Sequence, residues 1–231
     1  MTAGYRRAVT SALALAFAFF VTLFFLSFPP VFAGLCPRCF GFVPAGDNIF
    51  IEPNAGVAPA QVRADVRAAV AAIEPVVGAA YVPARVLVCF TEGCNGLMGG
   101  TSTIGMTYGT RLIYLPPQGY RPEIMRHELV HAVLHQKVGL RRSFSIPAWV
   151  DEGLAVYVSA DPRVDLDPAT CRFEAADLVE SKAELRRLGP VKGPQAYGAA
   201  GCALAHLVAQ NGPLVIAQIL AGVYPSKPRR P

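Results

Sequence analysis

The sequence predicts an α+β fold: a small mixed sheet with a helix over it, a buried helix carrying two histidines, and a C-terminal helical lobe. Three observations carry this. Short apolar runs of strand-like composition lie between residues 48 and 115, apolar residues recur at helical spacing from Pro59, and the segment around Arg126-His127-Glu128-Leu129-Val130-His131 is apolar nearly all round.

Asn48–Ile51 reads as a short strand and Arg85–Phe90 as a second, with Val86, Leu87 and Val88 at its centre. Thr101–Tyr108 followed by Arg111–Leu115 reads as a hairpin around Gly109. Pro59 opens a helix through Glu74 that buries Val62, Val66, Ala69, Val70 and Ile73 and leaves Arg63 and Arg67 wet. The glycine-rich stretch from Gly93 to Gly100 lacks the Lys-Ser or Lys-Thr of a phosphate loop and is expected as a turning loop. Beside it, Ser102–Tyr108 is expected to hold an extended peptide by strand addition.

The histidine helix starts at Arg121-Pro122-Glu123 and stops at Gly139. Ile124, Met125, Leu129, Val130, Ala132, Val133, Leu134 and Val138 mark it as buried, where two histidines and a glutamate are costly unless hydrogen-bonded or bound to metal. Residues i and i+4 share a helical face about 6 Å apart, so His127 and His131 can reach one ion. Glu128 lies about 100° around the helix, beside the metal, where a carboxylate can take a proton from a water. His135 lies about 12 Å along the axis from His127 and cannot join that ion, so it is expected at the surface or behind a ligand.

A catalytic zinc needs a third protein ligand. Pro147 opens a second helix with Asp151 and Glu152 in its first turns, and the 20 residues from 132 to 151 leave room for a helix end, a loop and a return. Successive helical residues diverge by about 100°, so one of the two acids faces the metal. The spacing alone leaves both open.

His127-Glu128-x-x-His131 followed by Trp149-x-x-Glu152-Gly153-Leu154-Ala155 resembles the gluzincin metallopeptidases, in particular the bacterial peptidase MA-like group, over roughly residues 120–210. The resemblance implies a zincin-like fold, Zn2+ on His127, His131 and Glu152, Glu128 as general base, and hydrolysis of a peptide or protein substrate. It further implies a tyrosine that steadies the oxyanion from a following helix. Tyr197, at the start of the helix expected over Gly193–Val208, fits that role, with Tyr157 as its competitor. Two departures matter. Gly105-Met106-Thr107-Tyr108 lacks the acid of the aminopeptidase strand, so an endopeptidase is expected. No acid stands between Val156 and Ser159 to orient a histidine, which leaves that role to Asp161 or Asp165.

The chain is 53% hydrophobic and only 16% charged, which suits one domain plus a membrane-directed segment. No charge follows Arg6 and Arg7 until Arg38, and the apolar run Ala8–Phe28 matches the about 20 residues that span a bilayer. Val31-Phe32-Ala33 before Gly34 also offers a small residue to a signal peptidase, so cleavage and retention both stay open. Either outcome places the rest outside the cytoplasmic membrane or secreted, because the arginines stay inside. The expected organisation is a membrane anchor or signal segment at 1–34, a metallopeptidase domain at 35–223 and a disordered basic tail at 224–231.

Six cysteines in an oxidising compartment predict disulfides, with Cys89–Cys94 and Cys171–Cys202 the preferred pairs. Cys36-Pro37-Arg38-Cys39 admits other readings, as a redox pair or as half of a zinc knot with Cys89 and Cys94. His206 is expected to be partly buried or on the surface. The tail supplies three of the 21 positive residues behind the net charge of +5, and no nucleic-acid motif is visible. A monomer is expected. Two rival readings remain: an inactive zincin-like domain binding a cell-envelope partner, and a membrane-tethered thiol-redox protein using Cys36 and Cys39.

Overall fold

The computed structural model describes residues 27–78, 83–100 and 102–228, with scattered positions between 10 and 21. Its single sheet is open, mixed and five-stranded: β1 (Val43–Gly46), β2 (Ile49–Ile51), β3 (Arg85–Val88), β4 (Met106–Tyr108) and β5 (Leu112–Leu115), in the order β1-β2-β3-β5-β4. β2, β3 and β5 run parallel, and the edges β1 and β4 are antiparallel to their neighbours. β1 was not expected, because Pro44 and Gly46 suppress its strand signal. An edge strand tolerates both. Asp47 and Asn48 at φ 50° and 63° supply the left-handed turn that joins it to β2.

Strand alternation divides the core in two. Val86, Val88, Ile113 and Leu115 face helices α2 (Pro59–Val77) and α4 (Pro122–Val138), while Leu87, Cys89 and Tyr114 face the other side with Ala33 of α1 (Pro29–Leu35) and Phe42. α2 runs one turn past Glu74, through Pro75, and stops at Gly78 with φ 82°. The stretch expected as a loop contains a short helix, α3 (Glu92–Leu97). Thr91 Oγ1 caps it by accepting from Cys94 N at 3.2 Å, and Glu52 anchors its start by accepting from Phe90 N at 2.7 Å and Thr91 N at 2.9 Å. This cap and the Cys89–Cys94 disulfide outweigh the glycines' poor helix propensity.

The C-terminal half is helical: α5 (Ala148–Ser159), α6 (Lys182–Asn211) and α7 (Leu214–Leu220). Residues 171–181, within the expected C-terminal helical lobe, are mostly irregular, with one 3-10 turn at Ala175–Asp177. α6 bends at Gly189, whose φ of 62° and ψ of −167° separate a short first limb from the limb bearing Tyr197. Each cysteine pairs with a partner: Cys36–Cys39, Cys89–Cys94 and Cys171–Cys202. No thiolate is left for the zinc knot. Among the described residues no helix is long and apolar enough to cross a membrane, and much of the Ala8–Phe28 run lies outside them.

α5 and α6 touch through reciprocal small residues. A Cβ on Gly153 would lie 2.7 Å from the Ala200 carbonyl oxygen, and one on Gly201 would lie 2.5 Å from Val156 Cγ1. Gly153→Ala therefore destabilises the fold by about 1–3 kcal/mol through overpacking, even though alanine favours a helix by about 1 kcal/mol. A lower denaturation midpoint in urea is the expected readout.

Candidate metal centre

Three atoms converge where α4 meets α5. His127 Nε2 and His131 Nε2 are 3.1 Å apart, and each is 3.3 Å from Glu152 Oε2. Three ligands at about 2.0–2.2 Å from one tetrahedral ion sit about 3.3–3.6 Å apart, so the triangle is close to what a zinc-sized ion needs, with the histidine pair slightly tight. The donor set of two imidazoles and a carboxylate also suits zinc. Glu152 Oε2 is buried and receives no hydrogen bond of good geometry, as a ligand oxygen should. Of the two acids left open by spacing, Glu152 is the one that joins the histidines.

Asp151 does something else. It is buried at 1% exposure rather than solvated, and its Oδ1 accepts from His131 Nδ1 at 2.7 Å. That bond places the ring proton on Nδ1 and leaves the Nε2 lone pair directed at Glu152 and His127. Asp151 Oδ2 lies 3.1 Å from His135 Nε2, and His135 Nδ1 donates to the Gly109 carbonyl at 2.9 Å. His135 is thus buried behind His131, not on the surface.

The acid that meets His131 is thus Asp151, the residue before Glu152. Ala160, left-handed at φ 49°, turns the chain off the end of α5. Asp161 then pairs with Arg163 Nε at 2.9 and 3.1 Å, and Asp165 accepts from Thr170 Oγ1 at 2.8 Å.

Glu128 faces the edge strand. Thr107 Oγ1 donates to its Oε2 at 2.7 Å, and Gly105 leaves space that a Cβ would take away, at 2.6 Å from Oε1. Across the site the Tyr197 ring stands edge-on to His127 with centroids 6.2 Å apart. The charge on Glu152, then burial, then Glu128 raise the Tyr197 phenol far above its ordinary value, so it keeps its proton and can donate. Tyr157 packs against the main hydrophobic core instead.

The electrostatics call for a cation. Burial alone would raise the Glu152 carboxyl, but His131 and His127 pull it down to about 2. Burial likewise opposes ionisation of Asp151, yet the adjacent His131 and His135 hold it well below the carboxylate range. His131 would be lowered by burial, but Asp151 and Glu152 hold it well above its ordinary value. Two buried carboxylates thus draw positive charge to this point, which a protonated imidazole or a bound cation would meet.

Other groupings are less suited. His131, His135 and Asp151 lie close together, but Lys182 Nζ already stands 2.5 Å from Asp151 Oδ2. Cys171, Cys202 and a partly buried His206 also cluster, with both sulfurs committed to a disulfide. Sequence reasoning missed Gly105, Thr107 and Lys182 as parts of the site, because each meets it only through tertiary packing. Asp151 had a signal: it sits one residue from Glu152, about 100° around the helix, next to a ligand histidine. Compared with family models, curated proteins and solved structures, the chain shows no match.

Because Asp151 and Glu152 hold the His131 pKa well above its ordinary value, the ring takes a second proton, on Nε2, as pH falls, and acidification should weaken metal binding by about tenfold per pH unit for each proton released. Calorimetry in buffers of different ionisation enthalpy measures that proton. Asp151→Asn loses the charge that orients His131 and should weaken metal binding by about 10–100-fold, read by competition with a chelator.

Proposed function

We propose that this chain is a zinc-dependent endopeptidase of gluzincin type, built on a zincin-like fold and working outside the cytoplasmic membrane. The observation that carries the reading is the His127–His131–Glu152 triangle with Glu128 held beside it by Thr107. Zinc on those three residues supplies Lewis-acid polarisation of a carbonyl and of a water.

The chain's own groups do the rest. Glu128, on the face of α4 next to the triangle, takes the proton from the attacking water and delivers it to the leaving amine. Thr107 fixes which way its carboxylate points. Tyr197 donates its phenolic proton to the oxygen that becomes negative as the carbonyl turns tetrahedral. β4 is the sheet's outer strand beside Glu128 and offers its backbone to an extended substrate. The three disulfides and the apolar stretch before residue 29 support an extracytoplasmic location.

Glu128→Gln should keep stoichiometric zinc and lose peptide hydrolysis by about 10²–10⁴-fold. Glu152→Ala should lose the zinc itself. Wild-type protein that holds zinc yet cleaves nothing in a diverse peptide library would point to a binding domain instead. Tyr197→Phe should lower kcat with little change in KM, since the donated bond strengthens only as the oxyanion forms.

A further inference from the structure

We infer that Lys182 is a positioning residue of the metal centre, whose ammonium fixes Asp151 and through it the ligand His131. The inference rests on the metal-binding half of the reading above and not on hydrolysis.

The geometry is a chain of contacts. Lys182 Nζ stands 2.5 Å from Asp151 Oδ2 and 3.3 Å from His135 Nε2. The other Asp151 oxygen holds His131 Nδ1, and His131 Nε2 belongs to the metal triangle. His135 Nδ1 meets the Gly109 carbonyl, and its Nε2 lies beside both Lys182 Nζ and Asp151 Oδ2. The ammonium therefore meets one oxygen of a carboxylate that is 1% exposed.

How Lys182 reaches this point is also built in. Val179 O and Glu180 O accept from Trp149 N at 2.8 Å and Ala148 N at 2.9 Å, which clamps the residues before Lys182 onto the first turn of α5. Ser181 then caps α6 by accepting from Glu184 N at 3.1 Å. Lys182 is the first residue of that helix, and its side chain, 33% exposed, runs inward from the surface. The position beside His131, His135 and Asp151 that would suit a second cation is thus filled by the protein's own. A buried carboxylate facing only imidazoles would be drawn toward solvent or toward a proton, and His131 would lose its fixed tautomer.

The test separates charge from packing. Because all six native cysteines are paired, a Lys182→Cys variant presents one thiol for alkylation. In the full chain this variant should bind zinc about 10–100-fold more weakly than wild type, measured by competition with a chromogenic chelator. Treatment with 2-bromoethylamine, which restores an ammonium at nearly the same reach, should recover most of the affinity. Iodoacetamide, which adds a neutral amide, should not. If the Lys182→Cys variant does not fold, Lys182→Met beside Lys182→Arg makes the comparison, the first neutral and the second charged. Affinity within twofold of wild type in the neutral variants overturns the inference, as does equal recovery with both reagents. Wild type that binds no zinc overturns the metal reading and this inference together. Zinc bound without hydrolysis, but weakened on loss of the ammonium, supports the inference while removing the peptidase reading.

Discussion

The 2.7 Å contact between Asp151 and His131 is the interaction on which the centre depends. It decides the ring's tautomer, and the tautomer decides whether Nε2 has a lone pair to give. It also explains why a fully buried carboxylate is tolerated. Asp151 is shared among His131, His135 and Lys182, so its charge is met on both oxygens. The helix carrying it is in turn clamped by backbone hydrogen bonds from residues 179 and 180. Without this contact His131 would lose the orientation that completes the triangle with His127 and Glu152.

The layers around the centre have separate tasks. The sheet and α2 give α4 a dry bed, with Ile124, Leu129 and Val133 set into the main core. β4 approaches α4 on its other flank, where Thr107 and Gly105 shape the place of Glu128. α6 returns across α5 at glycine-sized distance and brings Tyr197 to His127. The Cys171–Cys202 disulfide ties α6 to the segment that leads into it. The site is therefore assembled from several elements: α4 brings His127, Glu128 and His131, α5 brings Asp151 and Glu152, and α6 brings Lys182 and Tyr197.

Much of this was legible before any coordinates. α4 matched its expected bounds because Pro122 and Gly139 are local signals that packing rarely overrides. The α2, β3 and β4–β5 regions were visible through periodicity, with ends shifted by a few residues, and two of the disulfide pairs were the preferred ones. β1 and α3 were not visible. Each runs against the propensity of its own residues and is held by a partner outside itself: β1 by its hairpin with β2, and the start of α3 by Glu52, 38 and 39 residues back.

The sequence by itself determined the histidine pair, the glutamate between them and the two acids on the next helix, since fixed helical geometry turns such spacing into shared or diverging faces. It did not assign those acids. Glu152 and Asp151 are neighbours of nearly identical chemistry. Only the rotation of α5 against α4 made one a member of the triangle and the other the support of His131. The same holds for His135 and Lys182, 47 residues apart and 3.3 Å from each other. A helix's own period says which residues share a face, but the direction that face looks is set by what packs behind it, and that is a tertiary fact.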